Sequence, residues 1–179
     1  MKKILLVLLL AAVLTTGTAF ASPVHPDGLG IGVVWRGNMW GGGHWGTGHG
    51  AALSLKLPGS PIFWGIGASG GGNGFSVGVT GDRYFAGSAL IPTLGWYLGL
   101  GGFISFSTSG SGDNSAAHLG FGARLPIGLT WQPITIFELF ANFAPSLGAS
   151  VRTGGSSNDG RFYFPTWGVP IEIGLRLWI

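Results

Sequence analysis

Two histidines five residues apart, His44 and His49, stand in the run Trp40-Gly41-Gly42-Gly43-His44-Trp45-Gly46-Thr47-Gly48-His49. Imidazoles so placed on a loop could share a metal ion. No cysteine and no neighbouring carboxylate completes a ligand set, so the segment reads as an exposed aromatic loop. Nucleophilic catalysis has no better support. The four histidines continue as Pro26-Asp27, Trp45-Gly46, Gly50-Ala51 and Leu119-Gly120, none with a serine two residues on. Glycine runs such as 69–74 do not lie between a strand and a helix, so a nucleotide loop lacks its context. No catalytic, cofactor-binding or metal residue is expected. The strongest chemical pattern is ionic. Arg36, Lys56, Arg124, Glu138, Glu172 and Arg176 all fall on the same face of alternating segments. The two glutamates are the natural anions and the other four the cations of an internal charge network.

The elements that would position these charges follow from composition and period. The chain has 179 residues, 36 of them Gly and none Cys; charged residues are 8% and hydrophobic ones 46%. A soluble surface needs about 25–35% charge, so an ordinary cytosolic enzyme is not expected. Disorder is excluded by the same hydrophobicity. With no Cys, neither a disulfide nor a lipid-modified N-terminal Cys can form.

Apolar residues recur at every second position. Leu29, Ile31, Val33 and Trp35 form one stripe, Leu53, Leu55 and Leu57 another, and Ile62, Trp64 and Ile66 a third. Further stripes run through Phe75–Val79, Leu94–Leu100, Leu119–Leu125, Phe137–Phe143 and Val169–Ile179, giving eight segments. Period two is the signature of a strand with one apolar face. Odd-numbered connections are expected to be long and rich in Gly, Ser, Asn and Asp: 39–48, 70–74, 107–115 and 146–166. Even-numbered ones are expected at 58–61, 85–92 and 132–133. Long loops at one end and short turns at the other describe a membrane barrel.

In hydrocarbon every backbone N–H and C=O must be satisfied internally, which a closed barrel achieves. An Arg or Lys facing lipid at mid-membrane would cost about 2–4 kcal/mol, so the charges are expected inside. Trp35 and Trp131 are expected in interfacial girdles, and Trp178 inside as a plug at the turn end. Pro126, which cannot donate a ladder hydrogen bond, is expected to bulge or end the sixth strand. Loop residues available to outside partners are Trp40, His44, Trp45, His49, Asp113, Asn114, Arg152 and Asp159.

Lys2-Lys3, the apolar run Ile4–Leu14 and Ala19-Phe20-Ala21 have the three regions of a cleavable secretory signal. Residues 1–21 are thus expected to be a signal peptide and 22–179 a single barrel domain. Cleavage would remove two of nine basic residues against six acidic ones, lowering the formal charge from +3 to +1. The remaining cations are scattered, which excludes a nucleic-acid surface.

The C-terminal run Glu172-Ile173-Gly174-Leu175-Arg176-Leu177-Trp178-Ile179 resembles the assembly signal of outer-membrane barrels, carried by Glu172, Gly174, Leu177 and Ile179, with Ile in place of the usual terminal Phe. Trp96-Tyr97-Leu98-Gly99-Leu100-Gly101-Gly102 looks like a strand of the OmpA transmembrane domain and OmpW barrels. Arg124-Leu125-Pro126-Ile127-Gly128-Leu129, Phe137-Glu138-Leu139-Phe140 and Ala144-Pro145 resemble small spirochaete outer-membrane barrels. The resemblance implies an all-β, eight-stranded, antiparallel up-and-down transmembrane barrel in the bacterial outer membrane. It implies outer-membrane lipid, the assembly machinery and periplasmic chaperones as partners. Host or environmental ligands would bind through the loops, without catalysis or cofactor. Two other expectations stay open: a narrow conduit similar to OmpW, and a soluble exported barrel of the lipocalin type.

Overall fold

The computed structural model describes residues 25–40, 50–71, 74–109, 115–154 and 160–179. They form strands only: β1 (Gly30–Trp40), β2 (Gly50–Lys56), β3 (Ile62–Gly71), β4 (Gly74–Ile91), β5 (Leu94–Ser109), β6 (Ala116–Arg124), β7 (Ile127–Ile134), β8 (Phe137–Phe143), β9 (Ser146–Gly154) and β10 (Arg161–Trp178). Every pairing is antiparallel, and β1 pairs with β10 from Gly30↔Trp178 to Trp40↔Val169, which closes the ring.

The ten segments make eight strand positions. β6 and β7 continue one another beside β5, and β8 and β9 continue one another beside β10. Register survives both interruptions, since Arg124↔Ser146 and Ile127↔Phe143 are equally spaced about Leu125-Pro126 and Ala144-Pro145. Prolines cause the breaks. Gly99 N–H donates to Pro126 O, Leu125 N–H to Pro145 O and Ala144 N–H to Pro170 O, but no proline returns the second bond of its pair. The strand therefore continues through Pro126 rather than ending there.

Closure fixes which face is inside. Followed from strand to strand, the level of Trp35 runs through Ala51, Ala68, Val77, Phe106, Leu119 and Val151 to Phe162, eleven residues from Ile173, its own partner on β10. One of those residues is absorbed by the irregularity between Tyr163 and Thr166, leaving a stagger of ten. An even stagger returns lumen face to lumen face; an odd one would turn the pattern inside out. Eight strands so staggered tilt by roughly 35–45° and enclose a space that side chains fill.

The outward face is apolar: Val33, Ile66, Ile104, Phe121, Leu129 and Ile173 are all exposed. The inward face carries Lys56, Asp82, Arg124, Glu138, Glu172 and Arg176, all buried. A soluble lipocalin-type barrel requires the reverse.

Several connections differ from expectation. The fourth is the two-residue turn 92–93, because β4 runs on to Ile91. β5 extends to Ser109, and the segment read as a loop over 146–166 is mostly β9 and the start of β10. These extensions are rich in Gly, Ser and Thr, which propensity assigns to loops, but apart from the irregularities at Phe85, Leu90 and Phe164-Pro165 their described strand residues pair with a neighbouring strand. Arg152 is accordingly a strand residue of β9, and Trp40 is the last residue of β1. In the turn 57–60, Ser60 N–H donates to Leu57 O at 3.1 Å, and Gly59 at φ +68° follows Pro58. That conformation suits Pro-Gly in a type II turn.

Candidate functional site

The lumen is built in two storeys. In the lower one, towards the short turns, Glu138 on β8 is fully buried and surrounded by donors. Arg176 Nη1 donates to it at 2.7 Å, Thr130 Oγ1 at 2.7 Å and Trp178 Nε1 at 2.8 Å, while His25 Nδ1 lies 2.9 Å away. Arg176 also donates to Ser54 Oγ, through Nη2 at 3.0 Å and Nε at 3.2 Å. Its guanidinium stacks over Phe140 (4.6 Å), Phe63 (4.8 Å) and Trp178 (5.4 Å). Delocalised and weakly hydrated, a guanidinium suits such stacking better than an ammonium.

Rings pack the rest of this storey. Phe63 and Tyr84 lie 4.4 Å apart, Tyr84 and Tyr97 4.5 Å, and His25 sits 5.0–5.1 Å from Phe63, Tyr84 and Tyr97. Tyr97 Oη accepts from Asn142 Nδ2 at 3.1 Å. Trp178 thus faces inward at the turn end. His25 comes from the segment before β1 and closes the floor.

An ionic layer separates the storeys. Glu172 on β10 accepts from Arg36 Nε at 2.7 Å through one oxygen and from Arg124 Nη2 at 2.7 Å through the other. Arg124 Nε also faces Asp82 at 3.2 Å. The two contacts to Glu172 are charge-assisted hydrogen bonds, whereas Arg124 Nε and Asp82 Oδ1 form an ion pair without one. Above the layer lies a cavity of about 110 Å³. Arg36 and Arg124 border it, with the hydroxyls of Ser69, Ser76, Thr80, Ser105 and Ser146 around the wall.

A ring of paired strands, apolar outside and ionic inside, can be compared directly with known structures. The N-terminal β-barrel domain of Pseudomonas aeruginosa OprF is similar, with a TM-score of 0.55, 12% identity, and 84% of this chain matched to 97% of that one. A major outer membrane protein from Thermus thermophilus gives a TM-score of 0.52 and 14% identity over 84% of this chain and 99% of that one. The fold is that of the small outer-membrane β-barrels. The sequence matches no protein-family profile, and no curated protein matches it significantly.

Within this barrel, the residues singled out from sequence separate into distinct places. Arg36, Arg124 and Glu172 meet in the ionic layer, and Glu138 and Arg176 meet below it. Lys56 joins neither: it lies at the turn end, 3.5 Å from the exposed Asp27 and 3.0 Å from Leu57 O. Of the C-terminal motif, Glu172 and Gly174 face the lumen, whereas Leu177 and Ile179 point outward. Trp64 and Trp96, each third in its strand, and Trp131, opposite Leu94, are exposed near the turn end. Trp35 is exposed opposite Ala51, the second residue of β2, towards the loop end. His44, Trp45, His49, Asp113, Asn114 and Asp159 lie outside the described residues, as does the segment 1–21.

Sequence reasoning missed Asp82, His25, Thr130 and the Phe63–Tyr84–Tyr97 stack. Asp82 was recoverable, since it keeps the inward parity of Ser76, Gly78 and Thr80. His25 had no local signal, because its place depends on contacts with Phe63, Tyr84, Tyr97, Glu138 and Trp178, all far from it in sequence.

Proposed function

We propose that this protein is an integral barrel of the bacterial outer membrane, exported with a signal peptide over residues 1–21 and serving as a rigid holder for surface loops that bind external partners. The observation that carries the reading is the inversion of polarity: an exposed apolar belt around buried ion pairs. In water the belt would be costly, and in hydrocarbon it is the favoured arrangement. Outward tryptophans near the turn end support an interfacial position there.

The outer-membrane lipid is the first partner in this reading. Residues Glu172, Gly174, Leu177 and Ile179 would present the assembly signal to the insertion machinery after passage with periplasmic chaperones. Both described termini lie at the turn end, which becomes the periplasmic side, and the connections 41–49, 110–114 and 155–159 become the outer surface. Binding is assigned to those loops because recognition concentrates on loops held by a rigid scaffold. A non-catalytic role is supported by the described lumen carboxylates, each of which is occupied by a guanidinium. A conduit is disfavoured by the ring stack and the Arg176–Glu138 pair across the lower storey.

Membrane fractionation with heat-dependent gel migration tests the reading. The protein should sediment with outer membranes and migrate faster unboiled than boiled, and protease on intact cells should cut within the loops. Recovery in the soluble periplasm would overturn it.

A further inference from the structure

The lumen wall above the ionic layer carries positive charge with no described carboxylate beside it. Arg152 on β9 stands directly opposite His118 on β6 and directly opposite Arg161 on β10. Residues opposed in an antiparallel pair share a face, and the like charges of Arg152 and Arg161 placed so repel. His118 is buried on the lumen face, so this row faces inward at the loop end. The described carboxylates are engaged elsewhere: Asp82 and Glu172 with Arg124 and Arg36, Glu138 with Arg176, Asp27 with Lys56.

A second observation points to a ligand. Below the row, Ser150 on β9, opposite Tyr163, and Thr166 on β10, opposite Gly148 at the next inward level, are each 4% exposed, and neither hydroxyl has a hydrogen-bond partner. The Nε of Arg152 is also buried without one. Native structures rarely leave buried donors unused. Ser146 and Gly168, paired one inward position below Thr166 and two below Ser150, line the cavity over the ionic layer. A polar wall therefore descends from Arg161 and Arg152 through Ser150 and Thr166 into open space.

We propose that the loop-end mouth of the lumen binds an oxyanion of the phosphate class, held between Arg152 and Arg161 with the hydroxyls of Ser150 and Thr166 beneath it. Two guanidiniums offer forked donors that match tetrahedral oxygens, and an anion between them relieves their repulsion. The phosphate could belong to a free solute or to a lipid headgroup reaching over the rim. The proposal rests on the outer-membrane reading only for the side from which the anion arrives.

The test uses the refolded full chain in a zwitterionic detergent, with unfolding temperature followed by loss of the compact gel band. Inorganic phosphate is compared with sodium chloride at matched ionic strength. Phosphate should raise the unfolding temperature saturably and beyond the chloride control. Arg161→Gln, at an exposed position that leaves the core intact, should weaken that apparent affinity by about tenfold, as the loss of one charge-assisted contact predicts. Phosphatidylcholine vesicles with and without phosphatidic acid then separate the sources. Stabilisation by phosphatidic acid that Arg161→Gln removes supports a lipid phosphate; stabilisation by free phosphate alone supports a solute. If neither phosphate source stabilises the chain, and Arg161→Gln raises stability equally in phosphate and chloride, the row is bare repulsion and the proposal falls. Failure here leaves fractionation unchanged, so the two readings can fail separately.

Discussion

Glu138 takes hydrogen bonds from Arg176, Thr130 and Trp178 at 2.7–2.8 Å in a site with no solvent exposure. A carboxylate so placed is stable only while its cations remain, and the converse holds for Arg176. Glu138→Ala should cost about 3–5 kcal/mol of unfolding free energy, because it leaves a guanidinium buried without a counter-ion. Urea titration in micelles, followed by tryptophan fluorescence, reads this directly. Glu138→Ala combined with Arg176→Met should cost less than Glu138→Ala alone, since no uncompensated charge remains. Equal costs would show that ring packing, not the ion pair, dominates the site. At this scale the sequence carried the face of each charge but not its partner. Period two puts Glu138 and Glu172 on one side, yet which cation each meets depends on strand order and stagger. Arg124 reaches Glu172 across 48 positions and Arg36 reaches it across 136.

Pro170 and Ser146 show how a strand absorbs a missing donor. Ala144 and Pro170 form a hydrogen-bonded pair in which Ala144 N–H donates to Pro170 O at 2.9 Å. The returning bond is impossible, and Ser146 Oγ donates to the buried Ala144 carbonyl instead, at 2.7 Å. Ser146→Ala should therefore cost about 1–3 kcal/mol, the penalty of an orphaned buried acceptor. In a Pro170→Ala background, where a backbone N–H can return the bond, the same change should cost much less. A thermal melt of the four proteins in one detergent checks the cycle, and equal costs in both backgrounds would refute the compensation. On β10, packing can be tested apart from the assembly role proposed for its C-terminal motif. A Cβ at Gly174 would meet Phe140 Cζ at 2.5 Å and Val33 O at 2.8 Å, so Gly174→Ala should lower the stability of the purified barrel by about 1–3 kcal/mol through overpacking. Ile179 is 83% exposed, and its backbone, not its side chain, pairs with Leu29. Ile179→Ser should leave purified stability unchanged and reduce only the amount assembled in cells, as immunoblots of outer membranes would show. Strand centres were legible because lipid-facing positions must be apolar at every second residue. Strand ends were not, because the extensions over 103–109 and 146–154 are held by neighbouring strands, whatever their composition says about turns.

The whole molecule depends on a polarity opposite to that of soluble proteins, and this was its most readable property. Low charge, abundant Gly and period-two stripes leave few ways to satisfy every backbone group, and ring closure is one of them. What the alternation does not specify is how the interior is divided, because side chains from every strand compete for one axis. Here His25, Phe63, Tyr84, Tyr97 and Trp178 fill the end near the turns, while small residues such as Ala52 and Gly67 leave about 110 Å³ open nearer the loops. The barrel is therefore a cup with a packed base. The wild-type protein, verified as inserted, should show no steady conductance in planar bilayers. Replacing Tyr97 and Trp178 together by Ala removes two rings from that base and should produce resolvable current steps, provided the band still shifts on heating. Replacing Phe121, which faces outward near the middle of β6, should produce none. A steady current through the unaltered chain would mean that the base opens in the membrane, and the conduit similar to OmpW would then displace the closed cup as the better account.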